Sequence, residues 1–131
     1  MPRQRITAPA APAAIGPYSH AIAAEGLIFV SGQLGIDPNT GALVAGGVRQ
    51  ETAQALENMK AILAEAGLGL GNVAKTTVFL ADLADFAKVN EVYAGYFPVD
   101  PPARSAFQVG ALPKGGLVEI EAVAVRSGEH S

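Results

Sequence analysis

Cysteine is absent from this chain, which excludes disulfide frameworks, thiol nucleophiles and any zinc or iron–sulfur site built on thiolates. Charge is also scarce. Asp, Glu, Lys and Arg make up 16% of the residues and hydrophobic residues 50%, where soluble domains usually carry about 25% charge. So little charge covers the surface of a 131-residue chain poorly, and a homo-oligomer that hides apolar surface between subunits is expected. The two histidines, His20 and His130, lack the i, i+4 or short-loop spacing of a metal ligand set. Neither G-x-G-x-x-G nor G-x-x-x-x-G-K-[ST] occurs among the fifteen glycines, so nucleotide phosphates are not indicated. The net charge of −3 and the thin spread of basic residues speak against a nucleic-acid partner, as does the lack of an aromatic stacking platform. No stretch reaches the apolar length of a membrane span, and Met1-Pro2-Arg3-Gln4-Arg5 is not followed by the apolar core of a signal peptide. A cytoplasmic protein with no membrane partner is therefore expected.

What is present reads as one domain over residues 1–131, with residues 1–14 as an extended arm and residues 127–131 as a frayed tail. Glu25-Gly26 reads as a tight hairpin between the strand-like runs Ser19–Ala24 and Leu27–Ser31, and Leu27–Val30 is apolar enough to be buried on both faces. Between Val48 and Ala66, Thr52, Ala55, Leu56, Met59, Ile62 and Leu63 recur as one helical face. A strand follows over Asn72–Leu80. Asp82 or Asp85 can cap a second helix to about Phe97, with Phe86, Val89, Tyr93 and Phe97 inward. Asn90 lies beside that face, where an amide either satisfies backbone groups or supports a site residue. Two strands close the chain. The first runs from Ala103 to about Val109 and the second from Leu117 to Val125, its Val118, Ile120, Ala122 and Ala124 forming one apolar face. The order ββ, α, β, α, ββ indicates an α+β sandwich, one sheet covered on one side by two helices and on the other by another subunit.

The chemistry concentrates at Pro101-Pro102-Ala103-Arg104-Ser105-Ala106-Phe107. Two prolines fix φ and deliver Arg104 on a stiff, extended lead. A guanidinium presents a planar fork that meets a carboxylate in two parallel hydrogen bonds, so Arg104 is a candidate receiver of a small carboxylate substrate. An acid of the same protein could equally take the fork. Glu119 is the candidate partner, on the strand that follows Arg104 in sequence. If the two meet, they form an ion pair; if a gap separates them, a carboxylate and a water fit between, and spacing leaves both open. Glu121, on the same face as Glu119, is the weaker acid candidate. Ser19 and His20 point to opposite faces as strand neighbours, and no Gly-x-Ser-x-Gly elbow is present, so a hydrolase nucleophile is not indicated.

The blocks Ala13-Ala14-Ile15-Gly16-Pro17-Tyr18, Val30-Ser31-Gly32-Gln33, Asn58-Met59-Lys60-Ala61-Ile62, Lys75–Leu80, Val89-Asn90, Pro102-Ala103-Arg104-Ser105 and Glu119-Ile120-Glu121-Ala122 resemble, in order and spacing, the reactive intermediate deaminases of the RidA or YjgF type. The resemblance implies a chorismate-mutase-like α+β fold and a homotrimer whose sheets form a central barrel, with three clefts between subunits. It also implies cofactor-free hydrolysis of 2-iminopropanoate and 2-iminobutanoate, with their enamine tautomers, to 2-oxo acids and ammonia. These species escape from pyridoxal-phosphate enzymes, which they would damage. By the same resemblance Arg104 grips the substrate carboxylate and Glu119 activates the water. Tyr18 lines the cleft, Ser31 and Gly32 give backbone contacts, Asn90 gives polar support, and the Ala106 carbonyl accepts from the imine nitrogen. Ala106 stands where relatives often carry cysteine, and the segment between Phe97 and Pro102 is shorter than in some of them. Proteins of this kind have also been described as endoribonucleases or translation inhibitors, and a non-enzymatic trimeric binder of small carboxylic acids would use the same arginine.

Overall fold

The computed structural model describes residues 2–126; the tail expected over 127–131, with His130, lies outside the described residues. Eight main elements follow in order: β1 (Gln4–Ile6), β2 (Ala21–Ala24), β3 (Leu27–Leu34), α1 (Val48–Glu65), β4 (Val73–Leu80), α2 (Phe86–Tyr96), β5 (Ala103–Gln108) and β6 (Val118–Val125). The strands form one mixed sheet in the order β1-β2-β3-β6-β4-β5. All pairs are antiparallel except β4–β5. The parallel pair exists because α2 spans the return from the end of β4 to the start of β5, a crossover that a tight turn cannot make.

Local chemistry explains the elements. Glu25 (φ 54°) and Gly26 (φ 79°) both take left-handed backbone, the geometry of a two-residue turn whose twist matches its strands, and Ala24 pairs directly with Leu27. In α1 the expected stripe is the buried one: Thr52, Ala55, Leu56, Met59, Ile62 and Leu63 are all fully enclosed. Asp82 accepts a hydrogen bond from the Ala84 amide (2.9 Å) and caps the single 3₁₀ turn Leu83–Asp85 that leads into α2. Ile28, Val78, Leu80, Val118, Ile120 and Ala124 share one buried cluster with the apolar residues of α1 and with Val89 and Tyr93 of α2.

Within the arm, Gln4–Ile6 pairs with Ala21–Ala23 as an edge strand. Three expectations need correction. Leu27–Val30 is not buried on both faces: Ile28 and Val30 are buried, whereas Phe29 is 44% exposed because no helix covers its side of the sheet. Phe86 is 36% exposed rather than inward; its ring lies against Arg104 of the edge strand β5. Most consequentially, β5 and β6 are consecutive in sequence but not neighbours; β4 lies between them.

Candidate active site

The strand register places the two candidate catalytic groups. Arg104 is in register with Thr76 of β4, and Thr76 with Ala122 of β6. Thr76 and Ala122 are buried beneath the helices, so Arg104 projects to the helix-covered face. Glu119 is in register with Phe79, and Phe79 with Phe107, whose rings meet edge-on at 5.3 Å on the opposite, uncovered face. Two strand spacings and three residues of rise put the Cα atoms on the order of 14 Å apart, with the side chains diverging. Within one chain Arg104 and Glu119 share neither an ion pair nor a cleft, which resolves the alternative that spacing left open.

Each group nevertheless sits in a built environment. Arg104 donates from Nη1 to Asn90 Oδ1 at 2.7 Å, so the amide beside the inward face of α2 supports a site residue. Its guanidinium carbon lies 4.9 Å from the centre of the Tyr93 ring and 5.3 Å from that of Phe86, an aromatic seat on two sides. The Tyr93 hydroxyl is fixed by Thr76 Oγ1 at 2.6 Å, and burial raises the Tyr93 pKa, against smaller lowering by Thr76 and Arg104. Among the described residues no carboxylate meets Arg104. One of its five donors is bonded, and the group borders a cleft of about 450 Å³ formed with Asn90, Tyr93, Phe97, Pro101 and Pro102. Ala106, two residues on, lies half-buried on the same face of β5. β5 is an edge strand, so among the described residues backbone groups on its outer side have no ladder partner.

The second half lies on the other face, in a cleft of about 390 Å³ bordered by Tyr18, Ser31, Gly32, Glu119 and Glu121. A bulge in β3 between Val30 and Gln33 carries Ser31 and Gly32 past Glu119. A Cβ on Gly32 would stand 2.7 Å from Glu119 Oε2, so only glycine leaves that carboxyl its position. Burial raises the Glu119 pKa, and the like charge of Glu121 raises it further. Ser31 donates its hydroxyl proton to the Ser19 carbonyl (2.6 Å) and its amide N–H to the His20 carbonyl (3.0 Å), tying the lead into β2 to the bulge of β3. Tyr18 is half-exposed and accepts from the Ile15 amide at 3.2 Å. The chemistry available is thus divided: a braced cation on one face, and a partly desolvated carboxylate beside an apolar wall on the other.

The residues alone left the role of Asn90 open and the resemblance gave it only as polar support; its bond to Arg104 and three further supports were missed. Tyr93 was expected only as core, although it follows Asn90 by one helical turn and so shares its side of α2. Asn58 is buried, donates to the carbonyls of Leu34 (3.1 Å) and Ile36 (2.9 Å), and fixes the strand end that floors the Glu119 cleft. His20 bonds to the arm through both ring nitrogens.

Residues 8–126 match the family described as Endoribonuclease L-PSP. The 2-iminobutanoate/2-iminopropanoate deaminase of Homo sapiens is 55% identical over 124 residues, covering 95% of this chain and 90% of that protein. The structure of RidA from the Antarctic bacterium Psychrobacter superposes with a TM-score of 0.90 at 47% identity, over 93% of this chain and 98% of that one. That of E. coli TdcF with bound serine gives 0.90 at 45% identity, over 95% and 99%.

Proposed function

The chain belongs to the Endoribonuclease L-PSP family, in its reactive intermediate deaminase branch, and from that premise we propose that it is a 2-iminobutanoate/2-iminopropanoate deaminase, a single catalytic domain over residues 1–131. The observation that carries this reading is Arg104, a cation braced by Asn90 and two rings that no carboxylate of the described residues neutralises. A fork held ready in this way suits a carboxylate brought by a small substrate. The human relative bears the name of this deaminase, and the E. coli TdcF structure holds serine, a small α-carboxylate.

The division of the site makes the active unit an assembly. The Arg104 face of one chain, set against the Tyr18, Gly32 and Glu119 face of a second, brings cation and carboxylate to one cleft. A homotrimer with three such clefts, its uncovered sheet faces lining a central barrel, also buries the half-exposed Phe29, Phe107 and Val125. A cytoplasmic setting, where pyridoxal-phosphate enzymes release imines, belongs to the same proposal.

In that cleft Arg104 binds the substrate carboxylate through two parallel hydrogen bonds, and the Ala106 carbonyl accepts from the iminium nitrogen. Ser31 and Gly32 offer backbone contacts, and Tyr18 closes the side. Glu119 takes a proton from water as the water oxygen bonds to the electrophilic carbon and returns it to nitrogen; as the carbon–nitrogen bond breaks it accepts the remaining hydroxyl proton, which then passes to the departing ammonia. Ammonia leaves and the 2-oxo acid forms; the chain's part needs no cofactor. Proton transfer of this kind contributes roughly 10²–10⁴-fold, and burial suits Glu119 to it by raising its basicity. A simple binder of carboxylates would need Arg104 but no desolvated acid.

The test is release of 2-oxobutanoate and ammonia from 2-iminobutanoate generated in situ by a threonine dehydratase. Acceleration over the uncatalysed background that vanishes in Arg104→Ala supports the reading. A folded oligomer that gives no acceleration defeats it.

A further inference from the structure

At the border of the Glu119 cleft, His20 is an ionisable side chain bonded through both of its ring nitrogens. It is 8% exposed. Its Nδ1 accepts from the Ala8 amide at 2.9 Å, and its Nε2 lies 2.7 Å from the Pro12 carbonyl. An amide N–H only donates and a carbonyl only accepts, so the two partners fix a neutral ring with its proton on Nε2. The Ala11 amide closes a turn onto the Ala8 carbonyl at 3.1 Å, so the ring spans the open side of a loop whose Ala8 and Ala11 are buried. That loop continues through Pro12 into Ile15 and Tyr18, which wall the Glu119 cleft. The His20 backbone is itself pinned to the sheet by the Ser31 amide.

We propose that His20 is a positioning residue that fixes the Pro12–Tyr18 wall through its two ring nitrogens and so sets the affinity of the cleft for substrate. Without the ring, the Ala8 amide is buried with no acceptor and the Pro12 carbonyl loses its donor. The arm then gains alternative positions, and Tyr18 moves with it. Arg104 and Glu119 are held by other elements and stay in place. The inference rests on the deaminase reading for its kinetic consequence, but the state of the wall is measurable without turnover.

The experiment compares His20→Leu, which fills the space without either bond, with His20→Gln, whose amide can accept from Ala8 and donate to Pro12. In the imine assay His20→Leu is expected to raise KM about tenfold with kcat within about twofold, the effect of losing one or two hydrogen bonds to buried backbone; His20→Gln restores KM. Calorimetric titration with 2-oxobutanoate should show the same ratio of dissociation constants. Amide exchange of residues 8–18 should quicken in His20→Leu and recover in His20→Gln. If His20→Leu does not fold, His20→Glu takes its place, because an ionised carboxylate accepts from Ala8 but brings Pro12 no proton. A folded variant with unchanged KM and product affinity overturns the proposal, as does a fall in kcat with KM preserved. A wild-type protein without turnover defeats the deaminase reading alone, and the titration and exchange still decide the role of His20.

Discussion

Arg104 and Glu119 stand on opposite faces of one sheet, with β4 between their strands. Neither group can compensate the other within a chain, and each has its own support, Asn90 with two rings for the cation and the bulged Gly32 for the acid. The separation is itself testable.

Arg104→Ala and Glu119→Gln should each be inactive alone, yet regain activity when dissociated, mixed in equal amounts and reassembled. On random assembly half of the clefts draw an intact arginine and half of those an intact glutamate, so about a quarter of wild-type activity returns. Imine hydrolysis before and after mixing measures it; no recovery in a mixed oligomer would place both groups in one chain's site.

The pH profile reports Glu119. Its carboxyl must be ionised to take a proton from water, so kcat/KM rises with pH through its pKa. Burial first and Glu121 second hold that pKa above the ordinary 4.5. In Glu121→Gln the like charge is gone and burial remains, so the acid limb should move to lower pH without reaching the ordinary value. An unmoved limb would separate Glu121 from the reaction.

Gly32→Ala should cost activity more than stability. The new methyl meets the far end of a flexible side chain, which can swing aside, so urea unfolding should change little. The displaced carboxyl is then out of line with the water, and kcat should fall about 10²-fold, the usual consequence of misplacing a reacting group by about 1 Å.

Tyr93→Phe keeps the ring beneath Arg104 but leaves the buried Thr76 hydroxyl without its 2.6 Å partner. Stability should drop by about 1–3 kcal/mol in urea titrations with KM little changed. Phe86→Leu should do the reverse: it removes one side of the guanidinium seat at a half-exposed position, so KM rises while stability holds.

The parts legible in the sequence were those with a local period or a turn signature. The α1 stripe from Thr52 to Leu63, the alternation of β6 and the Glu25-Gly26 turn all emerge where the residues put them. The place of β5 was harder to read, because consecutive strands invite pairing. Yet the eleven-residue α2 between β4 and β5 was the available sign of a parallel crossover. Phe86 matched the inward helical spacing, but whether an apolar face is covered depends on where the sheet ends beneath it. The bonds from His20 to Ala8 and Pro12 leave no periodic trace at all, since they join a loop to a strand end through one side chain.

The uncovered sheet face also bears on how the protein is made. Phe29, Phe107 and Val125 stay 38–45% exposed on that side, which no helix of the described residues covers, whereas α1 and α2 close the opposite core within one polypeptide. If the proposed trimer forms, folding has a first-order beginning and a higher-order end. Secondary structure should return after denaturant dilution at a rate independent of chain concentration, while the competent enzyme forms faster as chains become more abundant. During that interval the newly folded monomer exposes its phenylalanines, and it is this short-lived species, rather than the unfolded chain, that a crowded cell must keep from adhering to other proteins.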